Sequence, residues 1–433
     1  MEINGKDMAQ GDRTPNELTS YVSDNLRGDP GTTCVLKLER PTADSTYIPM
    51  ELKITRGTIR TNPVPYYGMV DKNIGYIAIS TFAIEGCSKD IKKALIELKQ
   101  QGATSIVLDL RGNGGGLLSE AVNVVNFFVP KGKEIVVTKG KIKQAGSTYK
   151  TSNEPIDMEI PLTVLVDGAT ASAAEIVSGS LQDLDRAVIV GNRTYGKGLV
   201  QVPRELPYNS SMKVTTAKYY IPSGRCIQAI DYAKRNADGS VARIPDSLTT
   251  VFHTAAGREV RDGGGIRPDV EVKAERFPNI MFYLLNDDMI FDYATQYCIK
   301  HPNIGEVKDF SVTDADYDDF KQMLKKRNFT YDRQSEKSLK NLKEIAEFEG
   351  YMEGASEEFA ALEKKLTHNL DHELNRFSKQ IRKAIAEEIV KRHYFQRGVI
   401  LERMKDDADL TKAIETLKDK EGYTKILSVP ADK

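Results

Sequence analysis

Apolar and polar positions alternate with a period of two at "CVLKLER" (34–40) and "MELKITR" (50–56), with a polar, proline-containing stretch between them. That alternation predicts two half-buried strands. Upstream, "TPNELTSYVSDNL" (14–26) predicts a short helix with Thr14 as its cap and Pro15 in its first turn, where a missing N–H costs nothing. From residue 73 the pattern changes. Strands near 74–80, 105–110, 134–138, 161–166 and 187–191 are interleaved with helices near 88–101, 118–128 and 171–182, the first with Ser88 as its expected cap. "SIVLDL", "IPLTVLV" and "AVIVG" are apolar without alternation, which predicts a mostly parallel sheet covered on its faces. After "VTTAKYYIPSGRCI" (214–227) the pattern is irregular until "DGGGIRPDVEV" (262–272), read as a turn and a strand.

From about residue 276 the period becomes helical. "TDAD" (313–316) opens a helix as a capping box. Leu362, Leu366, Leu370, Leu374, Phe377, Ile381, Ile385 and Ile389 recur mostly every fourth position, which predicts one face of a single long amphipathic helix. The expected organisation is a small α+β module at 1–58, an α/β core at 59–275 and an all-helical domain at 276–433.

Composition narrows the function classes. The 433 residues allow two or three domains, and 61 Lys plus Arg against 62 Asp plus Glu leave a net charge of −1. A nucleic-acid backbone calls for a concentrated basic face, so nucleic acid is not an expected partner. Cys34, Cys87, Cys226 and Cys298 are far apart and form no CxxC pair, which argues against a cysteine metal site or a disulfide framework. No run of 18 apolar residues suggests a membrane span, and "MEINGKDMAQGDRTPNEL" has no signal-peptide pattern. His368 and His372 have the spacing of a metal pair but no suitable third ligand, and on so charged a helix they read as solvated. No metal and no cofactor are expected.

Three stretches can carry chemistry. "DGATASAAEI" (168–177) follows a buried strand with small residues and one serine, Ser172. A serine at a strand-to-helix corner is a cap or a nucleophile, and the cap is the commoner. "LDLRGNGGGLLSEA" (108–121) places Gly114, Gly115 and Gly116 between a strand and a helix. That is either a tight turn or a cradle whose free N–H groups meet an anion; it matches neither a dinucleotide fingerprint nor a P-loop. In "GNRTYGKGLVQV" (191–202), Lys197 lies between two glycines, either solvated or drawn into a partly buried site. Only His253, of five histidines, lies in the α/β region, so a Ser–His–Asp triad is poorly supplied. A serine paired with Lys197 is chemically sufficient.

Together "LDLRGNGGGL", "DGATASAAEIVSGSLQD", "GNRTYGKGLVQ", "TTAKYYIPSGRCIQ" and "GGGIRPDVEV" resemble, in order and spacing, the carboxyl-terminal processing (tail-specific) proteases, Ser/Lys peptidases of family S41. The resemblance spans about residues 74–272 and implies a ClpP/crotonase-like protease core. It implies Ser172 as nucleophile, Lys197 as its base and Gln201 as the residue that orients the lysine. Gly115, Gly116 and Ala173 would form the oxyanion hole. A lysine with its ordinary pKa of ~10.4 is neutral in about one molecule in 2,500 at pH 7, so the chemistry asks for a partly buried amine. Glu175, Asp183 and Thr194 fall in the same motifs and read at least as well as helix-surface charge or local hydrogen bonding.

Residues 1–58 resemble the latter part of a PDZ domain, without the carboxylate-binding loop that precedes it in the family. On that reading residues 1–433 are a fragment of a longer chain. The resemblance further implies protein or peptide substrates with accessible carboxy termini and a place in the bacterial periplasm or cell envelope. The helical domain would serve assembly or substrate enclosure, and a homo-oligomer is left open. The competing readings are a non-catalytic or latent binding protein on the same fold and a crotonase-type acyl-CoA enzyme, which leaves the Ser/Lys pair unexplained.

Overall fold

The unalternating apolar strands lie side by side in a computed structural model of the chain, which describes residues 1–9, 11–42, 46–141, 146–235, 241–273, 275–366 and 369–428. Six strands form one sheet in the order Val270–Glu271, Val188–Gly191, Leu162–Val166, Ser105–Asp109, Ile74–Ala78, Tyr66–Asp71. All neighbours are parallel except the last two, an antiparallel hairpin. Helices Cys87–Gln100, Leu118–Val125 and Ala173–Asp183 supply the crossovers. Every residue of the strands 74–78, 105–109, 162–166 and 188–191 is buried, as expected for a sheet covered on both faces.

The two faces are covered by different parts of the chain. Ile106, Leu108, Val164 and Ile189 share a core with Ile91, Leu95, Val177 and Leu181 of the crossover helices. The alternate residues Val107, Leu165 and Val190 are buried as well. Helix Ala408–Lys418 packs on strands 105–109, 162–166 and 188–191 and buries Leu410, Ala413 and Leu417, closing the second face.

The chain divides into two compact units, residues 1–60 with 275–405 and residues 61–274 with 406–433. Polar contacts fix the returning segment. Arg111 meets Asp407 at 2.7 Å and Asp409 at 3.1 Å, Lys418 meets Asp71 at 2.6 Å, and the Leu162 N–H donates to Tyr423 Oη at 3.0 Å.

A second, antiparallel sheet carries strands Leu199–Leu206, Ser210–Tyr220, Glu134–Gly140 and Ser147–Lys150 in that order. Residues 1–60 hold a four-stranded antiparallel sheet ordered Lys6–Asp7, Glu2–Ile3, Thr33–Pro41, Tyr47–Thr55. Its helix, Pro15–Leu26, starts as expected at Thr14, whose N–H donates to Glu17 at 2.8 Å.

Two local expectations fail for identifiable reasons. Helix Cys87–Gln100 is preceded by Gly86 with φ 79°, and Ser88 is inside it. The buried Glu120 of the neighbouring helix accepts the Gly86 and Ser88 N–H groups at 3.0 and 2.8 Å, so the cap comes from another element. The long helix through residues 362–389 is three helices, Met352–Leu366, Leu370–Arg376 and Ser378–Met404. Asn369 accepts the His372 N–H at 3.0 Å, and that local bond starts a new helix. His368 lies outside the described residues. Leu374, Ile381, Ile385 and Ile389 are buried with Phe320 and Leu324, whereas Leu362 is 43% exposed. Helix Asp314–Lys326 has the expected Thr313 cap with Asp316.

Candidate active site

Strand Leu162–Val166 ends in a turn held by its own polar groups. Asp167 Oδ1 accepts the N–H groups of Ala169 and Thr170 at 3.0 and 2.9 Å, and the Thr170 hydroxyl donates to the Leu110 carbonyl at 2.9 Å. The turn delivers Ser172 with φ 59° and ψ −118° immediately before helix Ala173–Asp183. A side-chain-bearing residue rarely adopts that conformation, and it persists only where its surroundings over-determine it. A strained strand-to-helix corner is the geometry that presents a nucleophilic serine.

The glycine turn stands against this corner. A Cβ at Gly115 would lie 2.6 Å from the Ala171 carbonyl oxygen and 2.8 Å from both Ala173 N and Ser172 Cβ. A Cβ at Gly116 would overlap the Phe82 carbonyl carbon at 2.0 Å. The Gly115 N–H itself donates to Asn113 Oδ1 at 2.9 Å, so Gly115 forms a wall and is not a free donor. The N–H groups of Gly116 and Ala173 have no acceptor among the described residues.

Lys197 arrives between Gly196 and Gly198 because the segment 228–229 runs close beside it. A Cβ at Gly196 would meet Ala229 Cβ at 2.3 Å, and one at Gly198 would meet Gln228 N at 2.7 Å. Gly198 N–H donates to Gln228 Oε1 at 2.7 Å. Lys197 is half-buried, and its ammonium makes no hydrogen bond or ion pair with a described residue. Lys197, Gln201, Gly114 and Ala171 line one cavity of about 300 Å³. Gln201 follows a bulge in its strand, and its amide donates to Thr215 Oγ1 at 3.4 Å. It shares the cavity with Lys197 without a hydrogen bond to it.

Glu175 is what joins the two motifs. The Ser172 N–H donates to its Oε2 at 2.8 Å and the Lys197 N–H to the same oxygen at 2.9 Å. Oε1 accepts from the Thr194 hydroxyl at 2.5 Å and the Gly196 N–H at 2.7 Å. The Ile266 N–H donates to Thr194 Oγ1 at 2.7 Å, which leaves the threonine proton directed at Glu175. The carboxyl is fully buried; burial pushes its pKa up, and the four donors pull against that shift. Tyr219 ties the same two residues from their carbonyls. Its hydroxyl donates to the Lys197 carbonyl and stands 3.4 Å from that of Ser172. Burial, with Glu175 nearby, holds this phenol protonated well above the ordinary tyrosine range.

The sequence set helix-surface charge or local hydrogen bonding against a direct role for Glu175, and the side chain is neither exposed nor unpartnered but buried and hydrogen-bonded. Its signal was present as the capping-box spacing Ser172-x-x-Glu175; that the same carboxylate would take the Lys197 N–H had no signal. Asp183 is buried against Arg225 at 2.8 Å. Among the described residues no histidine lines the Lys197 cavity. Among the described residues no group of three His, Cys, Asp or Glu could hold a metal, and no helix is long and apolar enough to cross a membrane.

Comparison with known proteins matches both halves of the chain. A family model described as peptidase family S41 matches residues 73–234, and one described as the C-terminal helical domain of a probable PDZ-protease matches residues 280–417. The carboxy-terminal-processing protease of Bartonella bacilliformis is 37% identical over 235 residues, 53% of this chain and 51% of that protein. The carboxyl-terminal-processing protease of a Picosynechococcus species is 40% identical over 200 residues, 46% of each. The chloroplastic C-terminal processing peptidase of Tetradesmus obliquus is 33% identical over 241 residues, 53% of this chain and 50% of that protein. The chain spans about half the length of these curated relatives. Residues 73–234, which match the model of peptidase family S41, hold four of the six strands of the central sheet, the Ser172 corner and the residues lining the Lys197 cavity, and over about half its length the chain is similar to carboxyl-terminal processing proteases.

Proposed function

We propose that this chain is a serine endopeptidase that cuts polypeptides at or near their carboxy termini, with Ser172 as nucleophile and Lys197 as general base. The observation that carries the reading is the shared Glu175 oxygen, which holds the backbones of both residues at one buried point. Ser172 Oγ attacks the scissile carbonyl carbon while its proton passes to the neutral amine of Lys197. The oxyanion accepts from the N–H groups of Ala173 and Gly116; one such donor is commonly worth about 3–4 kcal/mol of barrier. As the tetrahedral species collapses, the C–N bond breaks and Lys197 returns the proton to the leaving amine. Water, deprotonated by the Lys197 amine, then attacks the serine ester; the C–Oγ bond breaks and the lysine returns the proton to Ser172 Oγ. Gln201, which lines the lysine cavity, orients the amine without adding charge.

Residues 1–58 are read as a partial PDZ module, 59–275 as a ClpP/crotonase-like core, and the helices from 276 as an assembly or enclosure element. The relatives' names support carboxy-terminal processing as the activity, and bacterial envelope proteins as the substrates follow from the resemblance. The test is digestion of an unfolded protein by wild type, Ser172→Ala and Lys197→Ala, with product ends read by mass spectrometry. Cleavage by wild type alone supports the proposal. Equal cleavage by all three, or none by wild type, removes it.

A further inference from the structure

The glycine turn is held from two sides. On the Ser172 side the holder is Asn113, which is fully buried. Its carbonyl accepts the Ala171 N–H at 2.9 Å, its Oδ1 accepts the Gly115 N–H at 2.9 Å, and its Nδ2 donates to the Ile79 carbonyl at 2.8 Å. On the other side stands Arg111, which leads from strand Ser105–Asp109 into the turn. Its backbone N–H and its Nε donate to Asp109 Oδ1 at 2.9 and 3.0 Å, and its Nη2 donates to Asp109 Oδ2 at 2.6 Å. The Tyr76 hydroxyl donates to the same Oδ2 at 2.6 Å.

Asp109 uses the Nε–Nη2 edge of the guanidinium. The Nη1–Nη2 end is taken by a carboxylate 296 positions further along the chain. Asp407 Oδ1 accepts from Nη1 at 2.9 Å and Oδ2 from Nη2 at 2.7 Å, a two-bond fork that fixes the plane of the guanidinium as well as its position. Asp409 accepts from Nη1 at 3.1 Å, so each N–H of the Arg111 side chain has an acceptor. Asp407 Oδ1 also accepts the Leu410 N–H at 2.9 Å, which makes Asp407 the cap of helix Ala408–Lys418. One carboxylate therefore starts the helix that covers the sheet and grips the residue that opens the glycine turn.

We propose that Asp407 is a positioning residue, which acts through Arg111 to hold the turn 111–116 in the shape that offers the Gly116 N–H to the oxyanion. The inference rests on the peptidase reading for its reaction but on the Arg111 fork for its place. Arg111 precedes Gly112, whose φ of 71° and N–H bond to Asp167 Oδ1 at 3.1 Å bend the chain towards Asn113. Glycines have no side chains to resist distortion, so the shape of this turn is set by the residues at its ends. With the fork opened, Arg111 keeps Asp109 and Asp409, and the guanidinium is not left without a counter-charge. The turn then loses its orientation while the fold survives. An oxyanion donor acts on charge that develops in the transition state, so the loss falls on kcat rather than on KM.

Asp407→Ser separates the two tasks of the residue. Serine caps a helix about as well as aspartate, but it is too short for the fork and carries no charge. Tyr423→Phe is the control: it loosens the same segment by removing the hydroxyl bonded to the Leu162 N–H and leaves the Arg111 cluster untouched. The full chain and both variants are compared in steady-state kinetics on one peptide and in amide hydrogen exchange of residues 110–117, read by mass spectrometry. In Asp407→Ser, kcat is expected to fall by about 10-fold or more with KM nearly unchanged. Exchange within 110–117 is expected to quicken by about 10-fold, and Tyr423→Phe to match wild type in both. Equal loss of kcat in the two variants, or a wild-type kcat in Asp407→Ser, overturns the inference. If wild type cleaves nothing, the peptidase reading falls by itself and exchange decides: faster exchange in Asp407→Ser supports the hold on the turn, and unchanged exchange overturns it. Circular dichroism of each variant confirms the fold.

Discussion

Ser172 and Lys197 are hydrogen-bonded through their backbone N–H groups to one oxygen of Glu175, at 2.8 and 2.9 Å. The Ser172 corner and the Lys197 loop, which follow two neighbouring strands of the sheet, are thereby fixed to a single buried acceptor. Glu175→Ala strips four donors of their partner, and each buried donor left unsatisfied costs about 1–3 kcal/mol. Urea unfolding is expected to show a loss of about 3 kcal/mol or more, with Glu175→Gln losing clearly less because one acceptor oxygen survives. Equal stability of Glu175→Ala and wild type would remove the tethering role.

Tyr219→Phe deletes one hydroxyl and keeps the ring. The Lys197 carbonyl loses its donor, which costs about 1 kcal/mol of stability. Because the lysine loop is freed at one end only, kcat is expected to fall while KM changes little. Steady-state kinetics on a single peptide separates the two.

Gly115→Ala drives a methyl group into the Ser172 corner, where Ala171 O and Ala173 N stand within 2.8 Å of the new atom. The expected outcome is a folded protein with peptidase turnover reduced by about 100-fold or more, because the new methyl group displaces the Ala173 N–H, one of the two proposed oxyanion donors. A fully active Gly115→Ala protein would contradict the proposed placement of the oxyanion hole.

Arg111 holds three carboxylates, Asp109 at 2.6 Å, Asp407 at 2.7 Å and Asp409 at 3.1 Å. Removing one member of a buried ion cluster leaves uncompensated charge, at about 3–5 kcal/mol. Arg111→Ala is expected to destabilise by that order in urea unfolding and to expose the 406–428 segment to limited proteolysis.

Acid stability follows from Glu120. Burial works to raise its carboxyl, but the Ser88 hydroxyl and the N–H groups of Ser88 and Gly86 outweigh burial and hold it below the usual range. A carboxyl lowered in the folded state contributes stability that is complete above its unfolded pKa and is lost as pH falls through the folded one. Glu120→Gln is expected to lower stability at pH 7 and to flatten the decline between about pH 5 and 3. Denaturation midpoints across that range check it.

The strands of the central sheet were legible in the sequence because continuous burial leaves continuous apolar runs, as at Leu162–Val166. Ser172, Lys197 and the glycine turn were legible from motif spacing. The cover of the second sheet face was not, since Leu410, Ala413 and Leu417 make an ordinary amphipathic stripe that does not name its partner. The break at Asn369 was hidden because fourfold periodicity continues across it. The Gly115 N–H could be placed only once Asn113 was seen to accept it. Sequence spacing sets which residues are near in the chain, whereas these features depend on which distant groups satisfy a buried donor.

The central claim is that Ser172 is a nucleophile activated by Lys197, and covalent trapping tests it most directly. A peptidyl fluorophosphonate, which loses fluoride as a serine oxygen bonds to phosphorus, is incubated with wild type, Ser172→Ala and Lys197→Ala, and the adduct is located by mass spectrometry. The account predicts one adduct on Ser172 in wild type, none in Ser172→Ala, and labelling slowed by about 100-fold or more in Lys197→Ala. An adduct on another residue, no adduct in wild type, or equal labelling without Lys197 would contradict it.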